Sequence, residues 1–83
     1  MDLFNARVTV TLKNGVLDPQ GKAIEGSLSA LGIEGVEHVR QGKIFEISLN
    51  AESKKAALDS LNSMCEKLLA NTVIEDYSVE ILA

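Results

Sequence analysis

Residue types that carry chemistry are scarce in this chain. Its 83 residues include one cysteine, one histidine and no tryptophan. One cysteine cannot form an internal disulfide, which fits a reducing compartment, and one cysteine with one histidine cannot complete a zinc site. No apolar run approaches the roughly 20 residues that a membrane-spanning helix needs. These absences argue against a disulfide scaffold, a zinc protein and a membrane protein.

Basic residues are also outnumbered. The chain has 8 Lys and Arg against 12 Asp and Glu, a net charge of −4. A nucleic-acid binder usually shows a basic footprint, and an anionic membrane surface attracts basic segments. We therefore expect no nucleic-acid partner and no membrane partner. The first residues lack the basic region and apolar core of a secretory signal, so a cytoplasmic location is expected.

The length allows one domain, residues 1–83. A hydrophobic content of 46% with 24% charged residues is typical of a folded chain. A domain of this size buries only about 60% of the surface of its unfolded chain, so its stability is marginal. Self-association would add stability, and we expect the chain to pair with itself.

Apolar periodicity divides the first half of the chain into a strand, a helix and two short strands. Alternation over residues 4–13 predicts a strand. Asp18 and Pro19 then fit the cap and first position of a helix that ends at Gly32. Residues 36–40 and 43–49 are predicted as two strands joined by a hairpin at Gln41 and Gly42.

The second half contains a longer helix and a closing strand. The helix is predicted over residues 53–70, with one apolar stripe, Leu58, Leu61, Cys65 and Leu68. Asn71 is a residue type that tolerates the left-handed conformation at a helix end. An extended segment then begins at Thr72 and continues into a strand over residues 77–82.

The resulting order, β-α-β-β-α-β, predicts an α+β fold. It is typical of a ferredoxin-like two-layer sandwich, an antiparallel sheet with two helices on one face. The other sheet face would carry short or charged side chains, able to face water or another protein: Arg7, Thr9, Thr11, Glu46, Ser48, Ser78 and Glu80.

Enzyme and RNA-binding hypotheses find little support in the residues. An acylphosphatase needs a phosphate-binding first loop with an arginine, which residues 13–18 lack. An RNA-recognition module stacks bases on exposed aromatics, and alternation directs Phe45 inward. Cys65 lies on an apolar stripe, as a small buried hydrophobe does, and His38 is expected at the surface. No residue pair suggests acid–base chemistry.

From the residues alone, two functional classes remain. One is an interaction module without an active site of its own. The other is a regulatory domain of the same topology that binds an amino acid or similar metabolite near the first loop and helix.

Three blocks resemble a known family. They read VLDPQG (residues 16–21), VRQGKIFEISL (39–49) and CEKLLANTVIEDY (65–77), and they span nearly the whole chain in order. They resemble the PurS family, the small subunit of phosphoribosylformylglycinamidine synthase in de novo purine synthesis.

The resemblance implies a non-catalytic subunit of a glutamine- and ATP-dependent ligase. Its implied partners are a second copy of itself, as a dimer or tetramer, a large amidating subunit (PurL-like) and a glutaminase subunit (PurQ-like). It would bridge these subunits and help seal the ammonia route. The complex uses ATP, Mg and glutamine, and this chain alone is expected to bind no cofactor and no metal.

The resemblance also implies which residues contact partners. They come from the three blocks: Leu17, Asp18, Pro19, Gln20, Gly21, Arg40, Gly42, Lys43, Asn71, Thr72, Glu75, Asp76 and Tyr77. A cap, a helix start and a turn explain Asp18, Pro19 and Gly42 equally well. Arg40 and Lys43, two cations beside a predicted tight turn, have no evident internal role and are the stronger candidates for partner contact.

Overall fold

The first strand, β1 (Asp2–Leu12), lies at the centre of an antiparallel sheet. The computed structural model describes residues 1–82. Within that part of the chain, β2 (Gly42–Ala51) pairs with one edge of β1 and β3 (Glu75–Leu82) with the other, giving the order β2-β1-β3. The predicted first and last strands and the longer of the two middle strands are therefore present, with ends shifted by a few residues.

Strand register gives the sheet one apolar face. Val8 lies opposite Phe45 on β2 and Val79 on β3. Every second residue of β1 points to this face, and Ala6, Val8 and Val10 are at most 1% exposed. Alternation along each strand thus builds the core and leaves the predicted polar residues on the other face.

Helix α2 (Lys54–Met64) covers this apolar face. Its N-cap is Ser53, whose hydroxyl accepts a hydrogen bond from the amide of Ala56 at 3.1 Å. Leu61 and Cys65 are fully buried against the sheet. Cys65 is thus the small buried hydrophobe that the stripe predicted.

The end of this helix departs from the prediction. Residues Cys65–Leu69 form a π-helical turn, which adds a residue to the helical period. As a result Leu69 packs against the core while Leu68 is 82% exposed. The prediction that Leu68 completes the buried stripe is wrong, because an α-helical period does not apply there.

Helix α1 (Pro19–Ala30) begins and ends as predicted. Asp18 caps it by accepting the amide of Gly21 at 2.9 Å, and Pro19 is its first residue. At the other end Gly32 has φ +82, and the amides of Gly32 and Ile33 bond back to Ser29 and Leu28 at 3.0 Å. This is a Schellman motif, in which glycine provides the left-handed residue.

Residues 33–41 do not form the predicted second strand. They run beside α1, where the Val39 amide donates to the Glu25 carboxylate at 3.0 Å. The amide thereby finds its acceptor in a helix side chain instead of a neighbouring strand. Without that strand, Gln41 and Gly42 make no hairpin, and Gly42 simply opens β2.

The last junction also differs in detail. Within residues 1–82 no residue other than glycine has a positive φ, so Asn71 is not left-handed. Instead the chain leaves the π-turn at Ala70, and the Asn71 side chain accepts the amide of Val73 at 3.2 Å. Residues 72–74 are therefore a turn, not an extended segment, and β3 begins at Glu75.

The class and general arrangement agree with the α+β, ferredoxin-like prediction. The position of α1 is the exception, because α2 packs on β2 and β3 whereas α1 makes only marginal contact with any other element of residues 1–82. The molecule is accordingly elongated, 52 × 27 × 14 Å. Among the described helices, none is long and apolar enough to cross a membrane.

Candidate partner-binding site

The three sequence blocks meet at one end of the sheet, where β1 ends and both β2 and β3 begin. An open cleft of about 480 Å³ lies there on the apolar face, with Val10 and Leu12 as its floor. Residues from all three blocks form its rim: Asp18, Pro19, Gln20, Gln41, Gly42, Lys43 and Glu75. A shallower cavity of about 330 Å³ adjoins it and is lined by Lys13, Glu66, Thr72, Glu75, Asp76 and Tyr77.

Asp18 connects the first block to the second. One carboxylate oxygen caps α1, and the other accepts the Gln41 amide at 2.9 Å. The amides of Gln41 and Gly21 stabilise the charged form, so they lower the pKa of the Asp18 carboxyl. Asp18 is therefore a structural clamp as well as a rim residue.

Two glycines allow the blocks to approach closely. A Cβ atom at Gly21 would lie 2.3 Å from the carbonyl oxygen of Val39, and one at Gly42 would lie 2.6 Å from that of Val10. Neither distance is possible for a side chain, so only glycine fits. Gly26, in contrast, has open space around it.

Arg40 has an internal role that the sequence did not reveal. Its guanidinium donates to the carbonyl oxygens of Leu12 and Lys13, the latter at 3.2 Å, and to the side chain of Asn14 at 3.3 Å. It thus ties the second block to the end of β1. The prediction that Arg40 has no internal role is wrong.

Lys43 is also paired within the chain. Its Nζ lies 3.6 Å from Glu75 Oε2, and the other oxygen of Glu75 accepts the Asn71 amide at 2.6 Å. The Glu75 side chain is only 13% exposed. Glu75 therefore joins the second and third blocks, and Lys43 likewise has an internal partner.

The third block carries two more polar pairs. The Tyr77 hydroxyl donates to Glu66 at 3.0 Å, and this hydrogen bond raises the pKa of Tyr77. On the opposite face of the strand, Asp76 lies 3.2 Å from Lys13. Thr72 is exposed and contributes to the rim of the shallow cavity.

Not every candidate belongs to this end cluster. Leu17 is 70% exposed and lines neither cavity, and Gly21 is buried under the returning segment. Conversely, Lys13, Gln41 and Glu66 line the cavities although they were not predicted as site residues. Gln41 and Glu66 lie inside the blocks that resemble the family, so their position in those blocks could have identified them. Lys13 lies outside the blocks and reaches the site only because the chain folds.

The chemistry available here is that of contact. The Asp18 and Glu75 carboxylates are occupied by backbone amides and by Lys43, which leaves no activated acid–base pair between them. Cys65 lies in the core, where burial raises the pKa of its thiol. Residues 1–82 hold no cluster of three side chains that could bind a metal. His38 is exposed and lies 3.6 Å from Glu25, as expected for a surface residue.

Comparison with known proteins gives a consistent result. The family model described as PurS, phosphoribosylformylglycinamidine (FGAM) synthase, matches residues 5–83. The PurS subunit of FGAM synthase from Synechocystis sp. is 48% identical over 80 residues, covering 96% of this chain and 80% of the relative. The Bacillus subtilis PurS subunit is 46% identical over 80 residues, covering 95% and 93%.

Solved structures agree. A chain of the Thermotoga maritima PurLQS structure superposes with a TM-score of 0.91 at 35% identity, covering 99% of this chain and 100% of that one. Bacillus subtilis PurS gives a TM-score of 0.85 at 42% identity, covering 96% and 99%. With the family model, these matches extend over nearly the whole chain and identify it as a member of the PurS family of FGAM synthase subunits.

Proposed function

We propose that this chain is the non-catalytic accessory subunit of its complex, joining a PurL-like amidating subunit to a PurQ-like glutaminase and assisting ammonia transfer between them. One observation supports this most directly. Three family blocks, distant in sequence, are held together at one end of the sheet by side-chain contacts that leave no reactive group. A surface built in this way suits recognition better than reaction.

The proposal assigns the chemistry to other subunits. The reaction converts formylglycinamide ribonucleotide to formylglycinamidine ribonucleotide with ammonia from glutamine and energy from ATP. ATP, Mg and glutamine would bind to the partner subunits and not to this chain. The Thermotoga maritima relative belongs to a structure of PurLQS, which supports an assembly of three kinds of subunit here. A cytoplasmic location follows from a role in purine synthesis.

Omitting the chain tests the proposal. Purified PurL-like and PurQ-like subunits would be assayed for amidation with glutamine and, separately, with ammonium, each with and without this chain. We expect glutamine-dependent amidation to require the chain and ammonium-dependent amidation to suffer less, since ammonium bypasses the glutaminase. Equal glutamine-dependent turnover without the chain would overturn the proposal.

A variant locates the contact surface. Gln20 and Thr72 are exposed rim residues, one on each cavity. A Gln20→Arg, Thr72→Arg double variant should fold normally but weaken glutamine-dependent amidation, because it adds bulk and charge to the contact surface. Asn62→Arg, on the exposed side of α2, is the matched control and should have no effect. Full activity of the double variant would place the contacts elsewhere.

The cleft itself favours a second candidate function, the binding of a small metabolite. Its volume and its apolar floor with a polar rim are within the range of ligand sites. However, the rim carboxylates of Asp18 and Glu75 already have partners, so few groups are free to fix a ligand. Calorimetric titration with amino acids distinguishes the two functions, and we expect no heat of binding.

A further inference from the structure

The sheet has a second face, which no helix of residues 1–82 covers. Helix α2 packs on the apolar face, and the cleft lies on that face too. The opposite face is formed by the alternate residues of β1, β2 and β3, which are exposed or half-buried. Four of these residues have short side chains, Thr9, Thr11, Ser48 and Ser78. A flat surface of another protein can therefore come close to this face of the sheet.

Three charged residues form a row across this face. The strand register places Arg7 of β1 opposite Glu46 of β2 on one side and opposite Glu80 of β3 on the other. Neighbouring strands are about 4.8 Å apart, so this negative–positive–negative row is about 10 Å long. All three residues are exposed, and none of them belongs to an ion pair found within residues 1–82. The charges of the row are thus available to another molecule.

Apolar side chains and a recess accompany the row. Leu3 and Ile44 point to the same face, and each is 63% exposed. A cavity of about 270 Å³ opens beside Glu46 and is also lined by Asn5 and Ser48, where the Ser48 hydroxyl donates to the Asn5 side chain at 2.7 Å. Because the row is net negative, it disfavours nucleic acid and an anionic membrane as partners. A protein surface fits this mixture of charged and apolar groups.

We propose that this face docks on another subunit of the complex, at a site where an acidic side chain lies between two basic ones. This inference rests on the proposed function, because a chain that joins two subunits needs two separate surfaces and the end cluster supplies only one. A second copy of the chain fits the row less well. If two copies stack with their rows superposed, twofold symmetry sets Arg7 against Arg7 and each glutamate against a glutamate. A partner with the opposite pattern pairs all three charges at once.

Inverting the row tests the charge pattern. The triple variant Glu46→Lys, Arg7→Glu, Glu80→Lys keeps opposite charges side by side on the sheet, so it should fold, but it presents the reversed pattern. Fluorescence anisotropy would follow titration of the labelled chain with the PurL-like subunit, the PurQ-like subunit and both together. We expect the affinity to fall at least tenfold at low salt in one of these titrations. Equal affinity of variant and parent in all three would overturn the proposal.

The control is Asp59→Lys, on the exposed side of α2. It changes the net charge by the same amount as the triple variant, but away from the polar face, so it should bind as the parent chain does. A loss of affinity equal to that of the triple variant would mean that net charge, and not the row, governs binding, and would also overturn the proposal.

A second variant keeps the test decisive if the inverted row does not fold. Ser78→Tyr adds bulk beside the row, and tyrosine favours strands, so a folded chain with weaker docking is expected. Circular dichroism would confirm folding, and full affinity of Ser78→Tyr would contradict the docking. A lower light-scattering mass of either variant alone would show instead that this face joins copies of the chain. The omission assay remains separate: a required chain whose face variants bind normally keeps its accessory function and loses only this surface.

Discussion

Arg40 contacts backbone carbonyls 27 and 28 residues away in the chain, at the point where β1 ends. These carbonyl groups come close to Arg40 only in the folded chain, so the sequence predicted a cation without an internal partner. Asp18 shows the opposite case. Its cap lies three residues away and was predicted correctly, because local backbone geometry determines it. Residue roles were thus predictable where the partner was local and missed where it was distant.

Replacing Arg40 by lysine keeps the charge but loses the planar fork that reaches several carbonyls at once. We expect Arg40→Lys to lower the free energy of unfolding by about 1–2 kcal/mol, in line with hydrogen bonds to charged groups. Urea denaturation at a fixed protein concentration measures this. Lys22→Gln, a surface change, should stay within about 0.5 kcal/mol. Equal stability of Arg40→Lys and the parent chain would contradict the internal role.

Acid should destabilise the chain through Asp18 and Glu25. The amide of Gln41 lowers the pKa of Asp18, and that of Val39 lowers the pKa of Glu25. Each carboxyl is therefore more acidic folded than unfolded, so its stabilisation is present at neutral pH and disappears as the pH falls below about 4. The double variant Asp18→Asn, Glu25→Gln should lose less stability than the parent chain between pH 5 and pH 3. Thermal unfolding at each pH would measure this loss.

At the scale of elements, the strongly periodic segments were predictable and the others were not. β1 and α2 follow clear apolar periods, whereas residues 36–40 look like a strand but take their backbone partner from Glu25. The π-helical turn could not be predicted either, because a helix that gains one residue in a single turn has no distinctive amino-acid composition. The same limit applies to the candidate site. The three blocks could be identified from the sequence, but the side-chain contacts between them could not be predicted, because they depend on the folded structure.

The π-turn predicts different costs for the same substitution on one helix. Leu61 is fully buried and Leu68 is 82% exposed. Leu61→Ala should lower the free energy of unfolding by about 2–5 kcal/mol, because it leaves a cavity. Leu68→Ala should change it by less than about 0.5 kcal/mol. Chemical denaturation distinguishes them, and similar large costs would mean that Leu68 is buried in solution.

Two glycines of α1 give a similar matched pair. Gly26→Ala should stabilise the chain by up to about 1 kcal/mol, since the site is open and alanine favours a helix. Gly21→Ala should destabilise it, because the new methyl group would collide with the Val39 carbonyl and displace residues 33–41. Faster amide exchange confined to that segment would show the displacement. A neutral Gly21→Ala would mean that the segment is not held against α1.

At the scale of the whole molecule, the chain is elongated. Its length and composition predicted self-association but not this shape. A small domain with a marginal core favours association, but periodicity cannot show that α1 stands away from the sheet. The core lies between α2 and the inner faces of β1, β2 and β3, in one part of the molecule. Helix α1 and the residues that follow it extend from this core, with Leu31, Ile33 and Val36 exposed. Stability should therefore depend on concentration.

Thermal unfolding tests this dependence. If folding and self-association are coupled, a tenfold rise in protein concentration adds about 1.4 kcal/mol to the stability of each dimer. For two chains of 83 residues, unfolding entropies near 2.1 cal/mol/K per residue convert this to a rise in Tm of about 4 °C. Calorimetry from 5 to 500 µM should thus raise Tm by roughly 8 °C. Light scattering at the same concentrations should give at least twice the 8.9 kDa chain mass. A Tm that is constant over this range, with a monomer mass, would show that the chain is stable alone and would contradict the coupling of folding to self-association.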